Sequence, residues 1–259
     1  MRRTSTNLQF DARSAAPDPG RFSRLALDGP RGLAALIDLT LLGPQTSRDE
    51  VLKCCAQAAD LRFACVIVHP AWIALAHSSL AGSGVPVGAM TSSPCGASLG
   101  STKREEALGL LKVGARELET VLNIGMLKSQ GNAMVEAELR AVIEVAHDAG
   151  AAVKVILETD LLTVEEKIRA CELAISAGAD FLKTGAGVSG PGCTAAEVAL
   201  LRGVAGSRCG VSAAGGIQSL ATAVEMLDAG ASRIASPAGP AILEEAFGEA
   251  DFFRRTRLA

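Results

Sequence analysis

The chain has 259 residues, 25 basic and 28 acidic, for a formal net charge of −3, with 49% hydrophobic and 3% aromatic residues and no Tyr. That length and apolar content support one α/β barrel or two small domains around a sizeable core. The near balance of charge leaves no basic footprint for nucleic acid or an anionic membrane surface, and the few aromatics leave no base-stacking platform.

Residues 1–28 contain Arg2, Arg3, Asp11 and Arg13 but no apolar h-region, so they read as a leader and not as a secretory signal. Strand-like runs follow near 37–40, 64–68, 87–91, 117–122, 153–158, 180–184, 209–213 and 232–236. Helix-like stretches separate them, including 47–60, 103–113, 133–149, 163–177, 194–204 and 220–229. A Gly-Ala cue recurs just before four of the strands, with Gly114, Gly150, Gly178 and Gly230 spaced 36, 28 and 52 residues apart. Glycine there supplies the left-handed end of a helix, and the last gap spans about two units. Eight such alternations predict a TIM (β/α)8 barrel over 29–250, with a tail at 251–259. No Gly-x-Gly-x-x-Gly follows the first strand, which disfavours a dinucleotide-binding sheet.

Seven cysteines, an odd number, form no Cys-x-x-Cys pair, and His69, His77 and His147 are scattered. This is the pattern of free thiols in a reducing cytoplasm; it predicts neither a metal site nor a cofactor. No window of about 18 uncharged apolar residues is present, so no membrane partner is expected.

In a TIM barrel the active site lies at the C-terminal ends of the strands. Lys183 closes the sixth strand just before the glycine turn 185–187, and Glu119 is flanked by Leu118 and Thr120 on the fourth. Lys154 and Glu158 fall on one face of the fifth strand and are expected to satisfy each other inside the barrel, with Asp38 and Cys65 also inward. A buried lysine at a barrel mouth suits imine chemistry on a carbonyl substrate, with Glu119 moving protons through a water. The same residues also fit a structural ion-pair network, and spacing alone does not separate the two. The glycine turns at 185–187 and 215–216 suit close approach to an anion or simply tight βα connections.

Assembled, Ile-Asp-Leu-Thr-Leu-Leu (37–42), Glu-Leu-Glu-Thr-Val-Leu-Asn-Ile-Gly (117–125), Val-Lys-Val-Ile-Leu-Glu-Thr (153–159), Ala-Gly-Ala-Asp-Phe-Leu-Lys-Thr (177–184) and Ala-Ala-Gly-Gly-Ile (213–217) resemble the deoxyribose-phosphate aldolases. These are class I aldolases that join acetaldehyde to glyceraldehyde 3-phosphate. The resemblance implies that Lys183 is the Schiff-base lysine and that Lys154, Asp38 and Glu119 assist it. It implies substrate contacts at Thr40, Cys65, Thr184, Gly187, Ser212, Gly215, Gly216 and Ser236, and a homodimer paired through Ala-rich helix faces.

The departures from the family are local. The proton-relay aspartate falls at Glu119, and the second active-site lysine, whose charge favours the neutral amine of the first, falls at Ser212. The family's arginine after the glycine pair falls at Gln218. The eighth turn reads Ala235-Ser236-Pro237-Ala238, where the family has Gly-Ala-Ser-Ser. The expectation is therefore a Schiff-base lyase or condensing enzyme with a changed small aldehyde or ketone substrate, with or without a phosphate. The competing readings are an inactive barrel that binds a metabolite or partner protein, and an enzyme that uses Lys183 only to hold an anion.

Overall fold

The computed structural model describes residues 29–187 and 192–256, beyond 248 by backbone alone. Eight parallel strands close on themselves in chain order: β1 (Ile37–Leu41), β2 (Cys65–Val68), β3 (Val87–Thr91), β4 (Glu117–Val121), β5 (Ala152–Ile156), β6 (Phe181–Lys183), β7 (Gly210–Ala214) and β8 (Arg233–Ser236). The closing seam pairs Asp38 of β1 with Ala235 of β8. This is the predicted TIM barrel.

The helices are α1 (Pro30–Ala34), α2 (Arg48–Leu61), α3 (Ile73–Ser79), α4 (Gly100–Lys112), α5 (Ile124–Lys128), α6 (Asn132–Asp148), α7 (Val164–Ala177), α8 (Ala195–Ala205), α9 (Leu220–Asp228) and α10 (Gly239–Thr256). Helix α10 runs unbroken through residue 250, so the expected start of a tail at 251 falls inside a helix. The expected leader 1–28 lies outside the described residues. Among those described, no helix is long and apolar enough to cross a membrane.

Local chemistry explains the helix ends. Ser47, Thr163 and Thr194 each cap a first turn and are capped in return by Glu50, Glu166 and Glu197, reciprocal boxes that satisfy otherwise orphaned N–H groups. The Gly-Ala cues mark helix exits: Gly178 after α7 has φ 100° and Gly230 after α9 has φ 108°, where a side chain would be strained.

Alternation divides the strand residues between two cores. Leu39, Val66, Leu118, Val153, Val155, Leu182, Val211, Ala213 and Ile234 join the helices in one apolar cluster. Their neighbours Asp38, Glu117, Glu119, Lys154, Phe181, Lys183, Ser212 and Arg233 therefore point into the barrel, all of them buried. The bulk of Phe181 is accommodated by Gly210, its partner on β7. A methyl at 210 would run into the Phe181 ring and lie 3.0 Å from Ser232 Oγ. Gly210→Ala should destabilise the fold by roughly 1–3 kcal/mol through overpacking, read as a lower urea midpoint. An unchanged midpoint would show that the ring has room to move.

Candidate active site

Three cations and three carboxylates meet inside the barrel. Lys154 Nζ lies 2.7 Å from Asp38 Oδ2, 2.6 Å from Glu117 Oε2 and 3.6 Å from Glu119 Oε1. Arg233 Nη2 lies 2.8 Å from Asp38 Oδ1 and 2.6 Å from Glu117 Oε1. The Phe181 ring sits 5.8 Å from both the Lys154 ammonium and the Arg233 guanidinium. Lys183 Nζ contacts Glu119 Oε2 at 2.6 Å, with both side chains fully buried.

This arrangement corrects the expected pairing of Lys154 with Glu158. β5 stops at Ile156, and Glu158 adopts a left-handed backbone at φ 50°. The turn carries its carboxylate to the β6 loop, where Oε1 accepts the Ala186 N–H at 2.8 Å. Burial raises the Glu158 carboxyl, an effect partly offset by that N–H and by Lys183. Lys154 instead belongs to the node of Asp38, Glu117 and Arg233. Burial would lower its ammonium, but Asp38 and Glu117 outweigh that and hold the proton firmly.

Glu117 and Arg233 were missed as interior groups in the sequence reading. The available signal was alternation, because Glu117 lies two residues before Glu119 on one strand and Arg233 lies inside a buried run. Cys65 faces this lower node, and burial, reinforced by Glu117, raises its thiol well above the ordinary range. Atoms of Asp38, Cys65 and Glu117 lie within 4.8 Å of one another, a spacing compatible with a metal. Lys154 and Arg233 already neutralise both carboxylates there.

The expected substrate residues separate into three groups. Thr40, Gly187, Gly215 and Gly216 line a cavity of about 420 Å³ at the C-terminal mouth. Ser212 lies beside Lys183 in the β6–β7 register, fully buried, its hydroxyl without a hydrogen-bond partner. Thr184 and Ser236 are occupied internally: Thr184 Oγ1 bridges the Ala214 carbonyl and N–H at 3.1 and 3.0 Å, and Ser236 Oγ donates to the Ile217 carbonyl at 2.6 Å. Lys183 does not line the cavity. An apolar layer of Met90, Val121, Ile156 and Ala186, with Leu42 packed against it, lies toward the mouth from the Lys183–Glu119 pair. The contact between Lys183 and Glu119 is direct.

Burial would raise the Glu117 carboxyl, but Arg233 and Lys154 outweigh it and hold it below the ordinary carboxylate range. A depressed carboxylate stabilises the fold above its unfolded value, and that contribution disappears as pH falls through the folded value. Glu117→Gln should therefore lower stability at pH 7 by roughly 3–5 kcal/mol. It should also flatten the fall in stability below about pH 4. Urea midpoints at neutral and acid pH measure both; an acid limb as steep as that of the unmodified chain would assign the titration elsewhere.

Comparison with known proteins agrees with this geometry. Residues 33–248 match the family described as DeoC/LacD family aldolase. A deoxyribose-phosphate aldolase of Halalkalibacterium halodurans is 45% identical over 214 residues, covering 82% of this chain and 95% of the relative. One of Bacillus mycoides is 43% identical over 220 residues, covering 85% and 98%. The deoxyribose phosphate aldolase of Aeropyrum pernix, described as having a unique tetrameric structure, superposes with a TM-score of 0.80 at 31% identity, covering 88% and 96%. The closed parallel barrel and a family match spanning most of its length lead to one assignment: the chain belongs to the DeoC/LacD family of aldolases.

Proposed function

We propose that the protein is a Schiff-base-forming carbon–carbon lyase in which Lys183 is the nucleophile and Glu119 its proton partner. One observation carries this reading. Of the two lysines inside the barrel, Lys154 is held by two carboxylates at 2.6 and 2.7 Å, whereas Lys183 contacts Glu119 alone at 2.6 Å. Freeing Lys154 as an amine works against the pull of two carboxylates on its ammonium. On Lys183 the same proton has one carboxylate to move to, and the pair stays neutral throughout.

The chemistry then follows from one carboxylate. Glu119 takes the ammonium proton, and the Lys183 amine attacks a carbonyl carbon to give a carbinolamine. Glu119 returns the proton to the new hydroxyl, which leaves as water and generates the iminium. As a carboxylate again, Glu119 removes a proton from the carbon next to the iminium and forms an enamine. The enamine carbon attacks an acceptor aldehyde, and water hydrolyses the new iminium to release the product; cleavage is the reverse. Asp38 and Lys154 act as positioning groups: Lys154 reaches the second Glu119 oxygen at 3.6 Å and is itself held by Asp38. Ser212, where the resemblance places a second lysine, leaves Glu119 as the group that must accept the proton. The unsatisfied Ser212 hydroxyl is available to the oxygen of the carbinolamine.

A second reading is favoured by a different observation. Lys183 is fully buried and does not line the cavity, as in a static ion pair of a non-catalytic barrel that binds a metabolite or partner. Lys183 is fully buried, so the smallest aldehydes are the suitable probes. Incubation with acetaldehyde followed by borohydride should add mass at Lys183, and Lys183→Ala should abolish the addition. Glu119→Gln should slow labelling by about 10²- to 10⁴-fold, the usual share of a positioned acid–base group. A folded protein that traps no small aldehyde or ketone would favour the non-catalytic barrel.

A further inference from the structure

We infer that the mouth cavity accepts an uncharged aldehyde, in contrast to the phosphorylated substrate in the names of this chain's relatives. This rests on the Schiff-base reading above and assigns its acceptor. In barrels of this kind an anion is usually held by the loops after the seventh and eighth strands together with a helix N-terminus. Here the loop after β7 keeps its glycine N–H groups at the cavity, but no cation stands with them, and the donors of the loop after β8 and of the helix start are missing or already engaged.

Ser236, after β8, donates its hydroxyl to the Ile217 carbonyl at 2.6 Å and accepts the Ala238 N–H at 3.0 Å. Pro237, between them, has no N–H to offer. At the start of α9, a carboxylate from the chain itself occupies the place an anion would take: Glu245 Oε2 accepts the Leu220 N–H at 2.7 Å. Ser219 and Thr222 satisfy each other in the same turn. Among the described residues the cavity lining includes no Lys or Arg, and its only charged side chain is the carboxylate of Glu50. Gln218 stands on the lining as a neutral donor and acceptor.

A phosphate dianion in this cavity would lose its hydration, find no cation and share the space with Glu50. Aldehyde and hydroxyl oxygens need only what the cavity offers, the amides of Gln45 and Gln218, the hydroxyls of Thr40 and Thr46 and glycine backbone. A volume of about 420 Å³ is ample for a small hydroxyaldehyde.

The test uses the full chain with acetaldehyde as donor and compares D-glyceraldehyde with D-glyceraldehyde 3-phosphate as acceptor, alongside borohydride trapping of the donor. The expected result is trapping at Lys183, kcat/KM at least about tenfold higher for the unphosphorylated acceptor, as when one charge-assisted hydrogen bond is withheld, and no inhibition by millimolar inorganic phosphate. Trapping with equal or better use of the phosphorylated acceptor, or phosphate inhibition competitive with the acceptor, would overturn the acceptor assignment and leave the Schiff-base chemistry standing. Absence of trapping with any carbonyl would overturn both.

Discussion

The barrel interior is organised by the need to keep six buried charges neutral without water. Lys154, Lys183 and Arg233 face Asp38, Glu117 and Glu119, with every carboxylate within reach of a cation. A buried ion pair adds little stability over an apolar core of the same volume, but removing one member strands its partner in a low-dielectric interior. The members are therefore mutually required. In the lower node Asp38 and Glu117 are each held by both Lys154 and Arg233. The Lys183–Glu119 pair is joined to that node only by the longer 3.6 Å approach of Lys154. The Lys183–Glu119 pair thus stands at one end of the network, the end nearer the loops.

The same constraint bears on Ser212. With serine there the interior charges balance at three of each sign; a lysine would add a fourth cation to an interior whose carboxylates are already paired. Glu119, one methylene longer than the aspartate of the family pattern, spans the distance to Lys183 directly. The two departures are physically compatible: the cation is absent, and the carboxylate that must manage the Lys183 proton touches it.

Farther along the barrel axis the environment changes from ionic to apolar and then to a loop-lined cavity. Met90, Val121, Ile156 and Ala186 form a separate small apolar cluster there. Glu158 ties the end of β5 to the loop after β6 through the Ala186 N–H, so the loop that completes the apolar layer is anchored by a strand neighbouring Lys183. Family membership places the chain among aldolases; its own cavity lining decides which molecules fit.

Much of this could be read along the chain. Apolar runs, Ser/Thr-x-x-Glu caps and Gly-Ala exits are local signals, each acting over a few residues, and they locate the eight strands to within about two positions at most ends. The inward faces of Asp38, Glu119 and Lys183 follow from alternation within single strands. Partner choice does not. Lys154 meets Asp38, 116 residues away, and Glu117 meets Arg233 at the same separation. Closure of the barrel brings these strands face to face across the interior, and no local pattern encodes which carboxylate a lysine will find. Glu158 shows the limit most directly: strict alternation puts it on the Lys154 face, but a left-handed turn after Ile156 carries it to another loop. The sequence by itself determined the repeat, the barrel and the charged residues that must be buried, because these depend on periodicity and turn chemistry. Only the tertiary structure decided which carboxylate each of those cations meets, which pair stands apart from the rest and which loop donors are already engaged, because these depend on distances between segments that meet only when the barrel closes.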